Sequence, residues 1–189
     1  IYSKIGKDLT LLTASDKSSC TVNGLKSNTE YTFVVKPFVK ASDSKSYFGA
    51  NSNEVTWKTA PAPVTNLTEK RSTDNSITLN WDASADAADI ENYEVFALVT
   101  KKDASGIESN EWASIATTRN TELTISSIGG APVEQQTPYE FKIYAYSVYY
   151  YEDQGTQRPE KLYSTPALLS ASTALSRIKN LTVDTPTAT

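Results

Sequence analysis

The sequence predicts an all-β protein built from tandem antiparallel β-sandwiches. Apolar residues recur at every second position in short runs bounded by turn residues, which is the pattern of antiparallel strands with one face on a core. A two-strand unit also occurs twice: a strand that ends at Leu25 or Ile128 is followed by a strand that Tyr31 or Tyr139 opens. A repeat of about a hundred residues in a chain of 189 favours more than one domain.

The two copies of this unit differ in the connection between their strands. The first strand is predicted over Cys20–Leu25 in one copy and over Leu123–Ile128 in the other, and the second connection is five residues longer. Its Gly-, Pro- and Gln-rich sequence, GGAPVEQQ, is typical of a surface loop. Each tyrosine is predicted to bury its ring in the core while its hydroxyl bonds back to the upstream connection.

The first copy of the repeat is incomplete. Ile1 and Tyr2 align with Val95 and Phe96, inside a strand of the second copy, so residues 1–60 are predicted to hold only the C-terminal part of a module, strands C to G. Further strands are predicted around Leu9 and Leu12 and over residues 31–40 and 53–58. Because strands A and B are missing, one apolar face is open to water, and we expect chain outside this part to cover it.

Residues 61–174 are predicted to form a complete module after a stiff, proline-containing linker, residues 59–63. Its strands A to G are expected at residues 64–68, 76–81, 92–100, 112–117, 123–128, from 139 onward and 167–173, with a long loop over 149–163. Ile77, Leu79 and Trp81 share one face of the second strand, and Trp81 is predicted to pack in the core against Tyr93, Phe141 and Leu123.

The last residues begin the pattern again. Residues 178–183, Ile-Lys-Asn-Leu-Thr-Val, repeat residues 64–69, and Thr173-Ala174 follows Thr59-Ala60 at the same offset of 114 positions. Residues 175–189 are therefore predicted to start a further module with its strand A.

The corner Leu25-x-x-x-Thr29-x-Tyr31 and the pair Trp81-Asp82 resemble those of fibronectin type III domains. The resemblance extends over nearly the whole chain and implies a β-sandwich with Trp81, Tyr31 and Tyr139 as structural core residues. An immunoglobulin-like sandwich is the nearest alternative, but the pair of cysteines that would join its sheets is missing.

Composition excludes several classes of function. The net charge is −4 with no basic run, so the sequence offers no footprint for nucleic acid. No apolar run is long enough to insert into a membrane. The sequence has no histidine, zinc spacing or phosphate loop, so we predict neither cofactor nor metal nor catalytic residue. A glycosidase-like pair of carboxylates is the remaining catalytic arrangement, and solvated surface charge is the favoured interpretation of the acidic residues.

Two clusters are candidate sites. Asp82, Asp86, Asp89 and Glu91 crowd one connection, where they are interpreted either as calcium ligands or as ordinary turn residues. A second group consists of aromatic residues in two equivalent loops, which are interpreted as ligand or inter-module contacts or as residues that simply pack: Tyr149, Tyr150, Tyr151, Tyr47 and Phe48.

Cys20 is the single cysteine and is predicted to take the core position that Leu123 fills in the second copy. Asn66 and Asn180 lie in glycosylation sequons, which would be used only in a glycosylating secretory pathway.

The resemblance implies a non-catalytic structural or adhesive segment of an extracellular, secreted or cell-surface protein, as a spacer, stalk or filament component. Scarce cysteine favours a bacterial source. The alternative is an accessory linker module of an extracellular polysaccharide-degrading enzyme. Expected partners are neighbouring modules of the same chain, and other proteins or polysaccharide. An animal receptor ectodomain is less consistent with the sequence, because disulfides and a Trp-Ser-x-Trp-Ser signature are missing.

Overall fold

The structure, a computed structural model, describes residues 1–102 and 104–176. The chain divides into two compact units. The first comprises residues 1–63, 84–91 and 145–165, and the second comprises residues 64–83, 92–144 and the described residues from 166. The described residues contain sixteen β-strands and no helix, and their paired strands run antiparallel. The predicted all-β class is therefore confirmed.

The strands, in chain order, are β1 Tyr2–Ile5, β2 Asp8–Leu11, β3 Glu30–Val34, β4 Phe38–Lys40, β5 Ser46–Phe48, β6 Val55–Lys58, β7 Thr65–Ser72, β8 Ile77–Asp82, β9 Asn92–Lys102, β10 Glu108–Thr118, β11 Glu122–Ile125, β12 Ser127–Ile128, β13 Ala131–Pro132, β14 Pro138–Asp153, β15 Thr156–Tyr163 and β16 Ala167–Ser172.

The first unit is built on a four-stranded sheet in the order β2-β1-β3-β6. In its register, Tyr2 lies opposite Val34, and Tyr31 lies opposite Trp57. The small hairpin β4–β5 follows β3 after a break at Pro37, whose nitrogen has no hydrogen to donate to a ladder. The predicted strand over residues 31–40 is therefore two strands.

The second unit is a β-sandwich. One sheet has the order β11-β8-β7; the facing sheet contains β10, β9 and β14, and β16 pairs with the first half of β14. Inward side chains alternate with outward ones, as the sequence predicted, and the inward ones form the core. The core side chains include Ile77, Leu79, Trp81, Tyr93, Val95, Phe141 and Ile143, all of them almost fully buried.

Trp81 lies at the centre of this core with 3% of its surface exposed, and its ring meets Tyr93 edge to face, with 5.7 Å between centroids. Its indole Nε1 is buried without a hydrogen-bond partner. Leu123 is only half-buried, so it takes a smaller part in the core than expected.

The second half of β14 belongs to the first unit, where it pairs with β15 from Tyr146 opposite Tyr163 to Asp153 opposite Thr156. The predicted long loop over residues 149–163 is thus wrong: most of it is a β-hairpin. Its turn places Gln154 and Gly155 at φ 50° and 78°, the left-handed pair that a tight two-residue hairpin turn needs. The usual Asn-Gly signal for such a turn is missing from the sequence.

The predicted strand over Cys20–Leu25 is also wrong. These residues are irregular, and Cys20 is exposed instead of buried. The equivalent strand of the second unit, β11, pairs with β8, and residues 1–63 contain no counterpart of β8. Without a ladder partner, an alternating sequence has no reason to remain extended.

The proposed strand A at residues 178–183, with Asn180, lies outside the described residues. No helix in the described part of the chain has the length and apolar character of a membrane span.

Candidate interaction site

The linker between the repeats is hydrogen-bonded within the first unit from both of its sides. On one side, the amide of Asn28 donates to the carbonyl of Ala60 at 2.9 Å. On the other, the amide of Ala62 donates to a carboxylate oxygen of Asp86 at 2.7 Å, and the hydroxyl of Ser84 donates to the carbonyl of Ala62 at 2.7 Å. Ser84 is buried. The linker backbone is therefore held in one path rather than merely stiffened by its prolines.

The acidic connection after β8 supplies the residues that hydrogen-bond to Ala62 of this linker. The amide of Asp86 donates to the hydroxyl of Ser84 at 3.2 Å, and the amide of Asp89 donates to the carbonyl of Asp86 at 2.9 Å, which closes a turn. The side-chain amide of Asn28 donates to the carbonyl of Asp89 at 3.3 Å.

Asp82, predicted with this cluster, points elsewhere. Its carboxylate accepts a bond of 2.6 Å from the side-chain amide of Asn66, in the second unit. Within residues 1–102 and 104–176, no three acidic, cysteine or histidine side chains come together as a metal site would require. The hydrogen bonds of Asp86 and Asp89 fit the turn interpretation of these residues.

Two of the three consecutive tyrosines converge on Trp57. The ring of Trp57 lies 5.4 Å from that of Tyr149, nearly edge to face, and 5.4 Å from that of Tyr151. Tyr150 points to the opposite face of β14 and is 58% exposed, because successive residues of a strand alternate between its faces. Sequence analysis missed Trp57, which gives no local sign of a partner ninety residues away.

Glu30 completes this aromatic cluster. Burial raises the pKa of the Tyr149 phenol above its ordinary value, and the negative charge of Glu30, together with the hydrogen bond between the two side chains, adds to the increase. The cluster thus joins β3, β6 and the hairpin β14–β15 through ring contacts and one polar contact.

Tyr47 and Phe48 lie on β5. Phe48 packs on Phe38, directly opposite it in the ladder, with 5.7 Å between ring centroids. Tyr47 is exposed. The hairpin β14–β15 repeats this arrangement, since Tyr146 and Tyr163 are also ladder partners, at 5.6 Å.

A lysine lies over each of these aromatic pairs. The ammonium of Lys36 is 5.5 Å from the centroid of Phe48, and that of Lys161 is 4.3 Å from the centroid of Tyr146. Cross-strand aromatic pairs stabilise hairpins, and a lysine over a ring adds a cation–π contact. The sequence alone did not predict that these aromatic residues form pairs, because the strand register decides which of them meet.

The corner tyrosines close equivalent connections in the two units. The hydroxyl of Tyr31 accepts the amide of Lys26 at 3.0 Å, and that of Tyr139 accepts the amide of Glu134 at 2.8 Å. Both rings are half-buried. The donor stands five positions upstream in each case, so the longer second connection is accommodated before Glu134, where β12 and β13 form a short hairpin.

Comparison with known proteins gives one curated relative of substantial identity. Over 144 residues the chain is 31% identical to Chitinase A1 of Niallia circulans, an alignment that covers 71% of this chain and 18% of the relative. The chain therefore spans about a fifth of that protein's length.

The chain is also similar, at low identity, to solved structures. The fn3 domain of the human collagen alpha-1(XX) chain is 20% identical and matches 64% of this chain and 91% of its own, with a TM-score of 0.38. The twitchin kinase region from C. elegans is 24% identical and matches 56% of this chain and 16% of its own, with a TM-score of 0.33.

The family model described as "Fibronectin type III domain" matches residues 61–161, more than half of the chain. This match spans the strands from β7 to β14 and the core around Trp81. The chain belongs to the fibronectin type III domain family.

Proposed function

We propose that the chain is a non-catalytic structural segment of a secreted or cell-surface protein, in which fibronectin type III modules follow one another as a spacer or stalk. The domain limits proposed are 1–60, 61–174 and 175–189. A bacterial source is part of the proposal, and the relative from Niallia circulans supports it.

The hydrogen-bonded linker carries this proposal. A spacer transmits position or force only if its modules are not joined by a flexible coil. Here the carbonyl of Ala60 and both the amide and the carbonyl of Ala62 have protein partners, of which Asp86 and Ser84 follow the linker by more than twenty residues. Such a linker behaves as part of a folded unit.

The order parameters of the linker amides test the proposal. In the native chain we expect 15N relaxation to give Ala60 and Ala62 values near 0.85, which is typical of rigid backbone. The double substitution Ser84→Ala and Asp86→Ala removes both of these partners of Ala62, and the amide of Ala62 should then fall towards values below about 0.6.

Asp16→Ala serves as the matched control, since Asp16 is an exposed acidic residue of the same unit and lies far from the linker in sequence. It should leave the linker amides rigid. Linker amides of the native chain that are already as mobile as a free tail would contradict the spacer function.

A second function is favoured by the identity to Chitinase A1: the chain as an accessory linker module of an extracellular enzyme that degrades polysaccharide. An accessory module of this kind would need the same hydrogen-bonded linker, so the two functions differ in what surrounds the chain rather than in this geometry.

Co-sedimentation with insoluble chitin and with cellulose separates the two functions. A chain that acts only as a spacer should remain in the supernatant at all concentrations of either polymer, whereas an accessory module that contacts substrate should sediment with chitin. Release of soluble sugars by the purified chain would overturn its non-catalytic assignment in both cases.

A further inference from the structure

The irregular segment between β2 and β3 carries a chemically reactive dipeptide. Asn23 is followed by Gly24, the single Asn-Gly pair of the chain, and the pair lies in irregular structure rather than in a hairpin turn. Both residues are exposed. The side-chain amide of an asparagine can be attacked by the backbone nitrogen of the next residue, and glycine obstructs that attack least because it has no Cβ. The pair is therefore a candidate site of spontaneous covalent modification.

The surroundings of Gly24 leave room for this attack. Its φ is 76°, and a methyl group built on its Cα would meet no atom within 4 Å beyond its chain neighbours. Within the part of the chain that the structure describes, its amide donates no hydrogen bond and the side chain of Asn23 has no hydrogen-bond partner. The two reacting groups can therefore meet without the loss of a hydrogen bond to another described residue.

The two Asn-Ser pairs of the chain are restrained, in contrast. The amide of Ser52, which follows Asn51, donates to a backbone carbonyl at 2.9 Å, so the nitrogen that would attack is engaged. The side-chain oxygen of Asn75 accepts a hydrogen bond of 3.0 Å from the hydroxyl of Thr73, so the group that would be attacked is held. Each of these pairs has to break a hydrogen bond before its atoms reach the geometry of attack.

We propose that Asn23 converts spontaneously into a mixture of isoaspartate and aspartate in the folded protein. The backbone nitrogen of Gly24 gives its proton to solvent and bonds to Cγ of Asn23, while the bond from Cγ to Nδ2 breaks and Nδ2 leaves as ammonia. Water then adds to either carbonyl of the resulting cyclic imide and breaks its bond to the nitrogen. The conversion consumes one water, releases one ammonia and involves no oxidation or reduction. It needs no partner, so it goes beyond the proposed spacer function and does not depend on it.

The modification changes the segment but spares the corner that follows it. Each conversion adds one negative charge, and isoaspartate adds one carbon atom to the backbone. From Lys26 onward the chain is anchored, since the amide of Lys26 donates to the hydroxyl of Tyr31 at 3.0 Å and its carbonyl accepts from the hydroxyl of Thr59 at 2.7 Å. We therefore expect the folded unit to tolerate the product, with hydrogen exchange of the Lys26 amide unchanged.

Peptide mapping of the full chain, incubated at neutral pH and physiological temperature, tests the proposal. Trypsin cuts after Lys17 and Lys26, so the peptide of residues 18–26 reports on Asn23 alone. Digestion in mildly acidic buffer limits conversion during the analysis itself. We expect this peptide to gain the mass difference between an amide and an acid at least about tenfold faster than the peptides that hold Asn51 and Asn75. Its product should separate into two chromatographic forms, with isoaspartate the more abundant.

Unfolding separates the contribution of structure from that of sequence. In guanidinium chloride the hydrogen bonds of Ser52 and Asn75 are lost, so conversion at Asn51 and Asn75 should become several-fold faster. Conversion at Asn23 should change by less than about twofold, because its exposed segment is already unrestrained in the folded chain.

Two variants test the role of Gly24. Gly24→Ala retains Asn23 but places a methyl group beside the attacking nitrogen, and it should slow the conversion by about tenfold or more. Thr21→Ala is the matched control, since Thr21 is an exposed residue of the same irregular segment, and it should leave the rate unchanged.

Any of three results would overturn the proposal. One is a peptide 18–26 that keeps its mass for as long as the Asn51 and Asn75 peptides do. Another is a product that contains aspartate without isoaspartate, since no cyclic imide would then have formed. The third is an acceleration of Asn23 in guanidinium chloride as large as that of Asn51, since the folded chain would then restrain both sites alike.

Discussion

The hydroxyl of Thr173 accepts a hydrogen bond of 3.0 Å from the backbone amide of Thr137, and the same hydroxyl donates to the carbonyl of Glu134. Thr59 repeats this geometry in the first unit, where it accepts from the amide of Thr29 at 2.9 Å and donates to the carbonyl of Lys26 at 2.7 Å. One threonine after the last strand of each repeat therefore secures the connection that the corner tyrosine also closes.

Thr173→Val should destabilise the second unit. Thr173 is 5% exposed, and valine keeps its shape but leaves the amide of Thr137 and the carbonyl of Glu134 without this partner. We expect a loss of about 1–3 kcal/mol in the free energy of unfolding, measured by urea denaturation. Thr156→Val, at an exposed strand position, should change it by less than about 0.5 kcal/mol. Equal effects of the two substitutions would contradict the role assigned to Thr173.

Trp81→Phe should cost much less than Trp81→Ala. Alanine removes a fully packed ring and should cost about 3–5 kcal/mol. Phenylalanine keeps part of that ring and also removes a buried N–H group that has no acceptor, so the desolvation penalty of that group disappears. Urea denaturation of both variants measures the difference. If Trp81→Phe lowered the free energy of unfolding as much as Trp81→Ala does, the unpartnered N–H would not be destabilising the native fold.

Trp57→Ala should loosen the hairpin β14–β15. The substitution removes the ring contacts that Tyr149 and Tyr151 make in the first unit. Hydrogen exchange of the amides in residues 149–158 should become about tenfold faster, as for a segment that opens locally. Tyr150→Ala is the matched control, because Tyr150 lies on the exposed face of the same strand, and it should leave this exchange nearly unchanged. Unaltered exchange in Trp57→Ala would show that the ladder of β14 with β15 holds the hairpin by itself.

The contact of Tyr149 with Glu30 should weaken in alkali. The folded protein raises the pKa of Tyr149, so folding favours the protonated phenol. This contribution to stability is fully present below the unfolded pKa of about 10 and is lost as the pH rises through the folded value. Ultraviolet titration of the phenolate should show a late ionisation step above the ordinary value, and Tyr149→Phe should remove that step. Glu30→Gln should shift the step to lower pH. A late step that persists in Tyr149→Phe would assign it to another tyrosine.

Much of this architecture follows from local sequence. Strict alternation at Ile77, Leu79 and Trp81 predicted which side chains form the core, because a strand has a period of two and only one of its faces is covered. The corner tyrosines and the repeated Thr-Ala after the last strand could also be recognised in the sequence, because each acts within a short connection of fixed length.

Contacts that join distant parts of the chain had no such signal. Trp57 meets Tyr149 and Tyr151, and Ala62 meets Asp86, only because folding brings these elements together. The segment that begins at Cys20 is the opposite case: its alternating pattern predicted a strand, but the segment is irregular. Local sequence is enough to specify the fold class, the repeat and the inward faces. Which strands form and which aromatic residues meet depends on the folded chain, because a strand needs a hydrogen-bonding neighbour and a ring contact needs a register, and neither is a property of a single segment.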